Sequence, residues 1–175
     1  MPGQRPAIRH PLGIHGNHMF RTGIQLLLCF ALLVVFSARA NQAVAPSLST
    51  LELVERAEQL VRTDSEASRH HAELALKRLA SASDPELELR ARFVLCDHFA
   101  DQTPSAARDQ IAKSLPLIKK SPRIGWKSAF VLCKAAIDET EGHSNSALHG
   151  YDEAVLLAEG AQDPEFLAYS LFRRG

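Results

Sequence analysis

The sequence predicts an all-α fold, a solenoid of stacked antiparallel helix pairs. Three observations predict it. Phe93-Val94-Leu95-Cys96 returns as Phe130-Val131-Leu132-Cys133, 37 residues later. Each copy follows a proline, Pro85 or Pro122, by the same distance, and Pro164 opens a third copy that reaches Phe172. Within each unit apolar residues recur at helical spacing, and strand-like alternation is missing. A period in the high thirties to low forties with that patterning is the mark of a helical repeat array.

Each element has its own warrant. Ser49 followed by Glu52 has the spacing of a capping box and starts the first helix, with Leu51, Val54, Ala57 and Val61 on one face. Thr63-Asp64-Ser65 breaks and restarts the chain. The second helix runs to about Ser81 on a stripe of Ala67, Leu74, Ala75, Leu76 and Leu79. Asp84-Pro85 places a cap residue before a proline at the first helical position, where its missing N–H costs nothing. The third helix then carries Leu87, Ala91, Val94, Leu95 and Phe99. Thr103-Pro104 repeats the signal for a fourth, in which Pro116 removes a hydrogen bond and predicts a kink or early stop. Ser121-Pro122 is read as the start of the fifth, through Trp126, Phe130, Leu132 and Ile137. Gly142 and the following polar run end it. The sixth holds Ala147, Leu148, Tyr151, Ala154, Val155 and Leu157 and stops near Gly160. Asp163-Pro164 opens a seventh. Its partner is missing before the chain stops at Gly175, so the repeats are expected to be the front piece of a longer protein.

Residues 1–40 are read as a leader and not as part of this array. Arg5, Arg9 and Arg21 precede an apolar run from Gly23 to Phe36, and Ala38-Arg39-Ala40 offers small residues at a cleavage point. That is the layout of a secretory signal peptide, or of a signal anchor if uncleaved. The run, residues 23–36, is shorter than the roughly 20 residues of a spanning helix but would give membrane attachment if retained. Residues 41–48 read as a polar, flexible tail, and 49–175 as the repeats. Without the leader the 20 basic side chains fall to 16 against 20 acidic ones, a net of −4. No basic stripe with interleaved aromatics exists, which argues against nucleic acid. The expected location is the bacterial periplasm or its membrane face.

Cys96 and Cys133 hold the same slot in successive units. Neighbouring helix axes lie about 8–10 Å apart, whereas disulfide Cα separations rarely exceed about 7 Å. On that comparison the sequence predicts two buried free thiols.

Tyr151 to Ala158, followed by Ala161-Gln162-Asp163-Pro164-Glu165-Phe166-Leu167-Ala168, resembles the second helix and following turn of a tetratricopeptide repeat of the longer, near-42-residue kind. The likeness extends over about 65–175; the unit at 49–81 matches by helical pattern alone. In that family a small residue marks where the paired helices pack closest, and Cys96, Cys133 and Gly175 fall in that slot. Arg108, where the family usually has Ala, departs from the pattern. The resemblance implies a peptide or protein partner held along an inner groove lined by first helices. By register it places Arg90, Phe93, Asp97 and Asp101 on that groove, then Lys127, Phe130, Lys134 and Asp138, then Tyr169 and Phe172. The competing reading puts the phenylalanines in the core between helix layers.

The chemistry-bearing clusters point away from catalysis. Cys96-Asp97-His98 diverge by about 100° per residue on a helix and do not close on one metal ion. Cys96 and His98 diverge likewise as a nucleophile and base. His70-His71 reads as a surface pair. No phosphate loop or nucleophile elbow is present. The sequence therefore predicts a non-enzymatic exported interaction or sensing module with no cofactor and no metal. The alternative is the periplasmic sensor region of a membrane signalling enzyme, similar in layout to diguanylate cyclases or histidine kinases, with its catalytic domain elsewhere.

Overall fold

The computed structural model describes residues 48–175, which form seven helices and no strand. These are α1 (Thr50–Leu60), α2 (Ser65–Leu79), α3 (Pro85–Gln102), α4 (Pro104–Ile118), α5 (Trp126–Thr140), α6 (Ser144–Gly160) and α7 (Pro164–Arg174). The leader and nearly all of the tail lie outside the described residues. No helix among the described residues is long and apolar enough to cross a membrane.

The caps explain most of the starts. The Ser49–Glu52 box is reciprocal: Glu52 Oε2 accepts from the Ser49 amide at 2.6 Å and Ser49 Oγ from the Glu52 amide at 3.2 Å. Asp64 accepts from Ala67 N at 2.9 Å, Asp84 from Glu86 N and Leu87 N at 3.0 and 3.1 Å, and Asp163 from Phe166 N at 3.2 Å. Each such cap contributes about 1 kcal/mol. Thr103 precedes α4 without a side-chain cap bond. Pro116 falls in the last turn of α4, and the helix stops two residues later at Ile118.

The fifth helix departs from expectation. It starts at Trp126 and not after Ser121-Pro122. Ser121 Oγ accepts from Arg123 N at 3.1 Å, and the chain turns through Arg123 to Gly125 before the helix begins. The Arg123 side chain is drawn to Asp163 at the head of α7. Gly125 lies against the same carboxylate, so close that a Cβ there would overlap it.

Helices adjacent in sequence pack against each other along the chain. In addition α1 touches α3, α3 touches α5, and α5 touches α7, while the even-numbered helices touch only their neighbours in sequence. The odd helices thus form a continuous inner layer and the even helices an outer one. Small residues set the close approaches. A Cβ on Gly150 of α6 would come within 2.9 Å of the Ala135 methyl on α5. Ser68 donates to Ala57 O across α1 and α2, and Ser128 to Ala154 O across α5 and α6, each at 2.7 Å. The buried hydroxyls are thereby satisfied at helix crossings.

Cys96 and Cys133 are buried and bonded to each other, with Cα atoms 6.2 Å apart. The expectation of free thiols is corrected. Axis separation was the wrong yardstick. Each Cα stands about 2.3 Å off its helix axis, so two residues facing each other across the α3–α5 contact come several ångströms closer than the axes.

Candidate functional site

A concavity of about 830 Å³ opens on the inner layer. All of its walls come from the odd helices and the segments at their ends. Glu58 and Val61 come from the end of α1, with Arg62 just beyond. Glu86, Arg90, Phe93, Val94 and Asp97 come from α3, Arg123 from the turn before α5, and Trp126 from the first residue of α5. Glu165, Phe166, Ala168, Tyr169 and Phe172 come from α7.

Its apolar floor centres on Phe93. The Phe93 ring meets Phe166 and Tyr169 at 5.7 Å each, Phe130 at 6.0 Å and Trp126 at 6.4 Å, all edge to face. That geometry suits the ring quadrupoles. Phe166 and Tyr169 of α7 therefore reach past α5 to α3.

The charges around this floor are nearly all engaged. Arg90 forks onto Glu58 at 2.6 and 2.8 Å. Arg123 forks onto Asp163 at 2.7 and 3.0 Å, reaches Glu165 at 2.7 Å, and lies over the Phe166 ring. The Arg123 hydrogen bond holds Asp163 below its ordinary value of 3.8, against burial. Both oxygens of Glu86 accept from the Trp126 indole N–H at 3.0 Å. Asp97 accepts from the Tyr169 hydroxyl at 2.8 Å. Burial, with the Asp97 charge beside it, pushes Tyr169 well above the usual tyrosine range. Arg62 differs: its guanidinium lies 4.7 Å over Phe172 and 5.3 Å from Tyr169, with no ion pair among the described residues.

The sequence-predicted residues divide. Arg90, Phe93, Asp97, Tyr169 and Phe172 line the concavity. Phe130 is buried beneath it, against the rings of Phe93 and Trp126. The expected ladder of three phenylalanines resolves into a core pair, Phe93 and Phe130, and a rim residue, Phe172, which is 66% exposed. Asp101 lies in a smaller depression beside His98. Lys127 is exposed and outside the concavity. Lys134 pairs with Asp138 at 3.1 Å on the flank toward α6, where Asp138 also accepts from Ser146 at 2.7 Å. The register carried from α3 to α5 does not bring these side chains to the concavity: of α5 only Trp126 lines it, with Arg123 just before the helix.

Trp126, a residue type that can anchor a partner or fill a gap between repeats, lines the site, as do Phe166, Arg62, Arg123, Glu86 and Glu165, which the sequence pattern did not mark. A signal existed for three of them. Glu86, Arg123 and Glu165 each directly follow a repeat proline, so one register position supplies three wall residues.

Two further clusters lie elsewhere. Asp138, Glu141 and His143 bring their ligand atoms within 4.8 Å of one another. Lys134 and Ser146 already engage Asp138, and Arg108 engages Glu141. His98, buried between α2 and α3, hydrogen-bonds Ser65 Oγ through Nδ1 at 2.6 Å, with Glu66 3.7 Å from Nε2. This ties the start of α2 to α3. Comparison with known protein families, curated proteins and solved structures gives no match to this chain.

Proposed function

We propose that the chain is a non-enzymatic, exported recognition module of the tetratricopeptide-like kind, which takes its ligand into the concavity of the inner layer. The observation that carries this reading is that concavity itself. Its aromatic floor, ringed by charged side chains that are mostly paired with one another, and its volume of about 830 Å³ suit a binding site. The alternation of inner and outer helices supports the solenoid reading, and the inner placement supports binding through first helices. The partner is a peptide or protein segment contributing an apolar group, or a small molecule of that size. A bounded, ligand-sized hollow favours a sensing role, and with it the alternative in which these repeats are the periplasmic sensor of a membrane signalling enzyme.

The test fills the hollow without touching the core. Ala168 is exposed and lines the wall. The chain from residue 41 onward should bind the neutral dye Nile red saturably and one to one. Ala168→Phe, with an unchanged circular dichroism spectrum and melting curve, should weaken that binding at least about fivefold, roughly 1 kcal/mol of lost apolar contact. Equal binding by both proteins, or none that saturates, would refute the site.

A further inference from the structure

We infer that the concavity selects a small carboxylate with an aromatic or branched apolar body, and that Arg62 is the residue that reads its charge. The inference rests on the reading of the concavity as a binding site and names the ligand class for it.

Each lining carboxylate already has a donor: Glu58 has Arg90, Glu165 has Arg123, Glu86 has the Trp126 indole, and Asp97 has the Tyr169 hydroxyl. Lining cations differ, since Arg90 and Arg123 are paired and Arg62 is not, among the described residues. Arg62 is held nonetheless. Its flat face stacks on Phe172 and Tyr169, which leaves the N–H edge of the guanidinium to meet an acceptor. A guanidinium fork presented beside an aromatic floor suits a carboxylate whose apolar part goes inward. A cationic ligand would meet the positive charge of Arg62 at that edge, where it has no acceptor to offer.

The shape favours a small molecule over an extended chain. Arg62 reaches from the end of α1 across to the rings of α7, so the hollow is bounded on that side instead of running through as a channel. Its volume of about 830 Å³ lies within the usual range of small-molecule sites, about 300–1,000 Å³.

Trp126 is the single tryptophan of the chain and lines the site, so its emission reports occupancy directly. Three probes of one shape separate the terms: 4-phenylbutyrate, 4-phenylbutyramide and 4-phenylbutylamine, titrated into the wild-type protein and followed by Trp126 fluorescence. The acid is expected to bind about tenfold tighter than the amide, the difference between a charge-assisted and a neutral hydrogen bond. The amine should be weakest. Arg62→Gln should bring acid and amide within about twofold of each other, and Arg62→Lys should keep part of the preference. Arg62 is exposed, so both variants are expected to fold, as circular dichroism would check. Acid and amide bound equally by the wild type, with Ala168→Phe weakening both, would overturn the ligand class and leave the binding site standing. An acid preference untouched by Arg62→Gln would overturn the role of Arg62. No response to any probe would overturn the inference and the site together.

Discussion

Asp163 joins the head of α7 to the segment that leads into α5. It caps α7 through Phe166 N, forks with Arg123, and leaves room only for a glycine at 125. The carboxylate is 8% exposed and Arg123 30%, so the pair sits between a surface ion pair and a fully buried one. Asp163→Asn keeps a capping side chain and removes the charge, and is expected to cost about 1–3 kcal/mol at neutral pH in urea unfolding. The pH dependence has a definite sign. Asp163 titrates below its ordinary value in the folded state, so its contribution is complete above about pH 4 and is lost as pH falls through the depressed value. The wild type should therefore lose stability more steeply than the variant below pH 4, and parallel acid limbs would count against the ion pair. At this scale the sequence was partly legible. The caps at Ser49, Asp84 and Asp163 could be read because a cap is local. The Arg123–Asp163 fork spans 40 residues, and local spacing gives no hint of it.

At the scale of elements, caps and apolar spacing located all seven described helices, and the prolines gave the starts of α3, α4 and α7 to the residue. Pro122 misled because the same residue that starts a helix also suits a turn, and the Arg123 side chain holds the turn open. The disulfide was missed by comparing axes where facing Cα atoms decide. Its contribution can be checked on α3 and α5 directly. Closing a loop of 37 residues is expected to stabilise the fold by about 2–4 kcal/mol. Dithiothreitol should lower the urea midpoint of the wild type. It should leave a Cys96→Ala, Cys133→Ala double variant unmoved, at or below the reduced midpoint. A wild-type midpoint indifferent to reductant would argue that the thiols are not bonded in solution.

At the scale of the whole molecule, stability is unevenly shared. α3 and α5 each pack against four other helices, whereas each of the other five has two close helical neighbours, α7 reaching α3 by side chains alone. Amide hydrogen exchange should accordingly be slowest in α3 and α5 and faster toward both ends; uniform protection across all seven helices would contradict that gradient. The all-helical class was legible as a whole, because apolar residues recur at helical spacing along residues 49–175. The meeting of Phe166 and Tyr169 of α7 with Phe93 of α3 was not, since it depends on how the helices are oriented, which no periodicity records. The covalent tie between α3 and α5 has one more consequence. It encloses all of α4 and the segment 119–125, where Ile124 is 73% exposed. A protease that nicks this segment severs the backbone but frees neither half, so the two pieces travel as one species until the sulfur bridge is reduced.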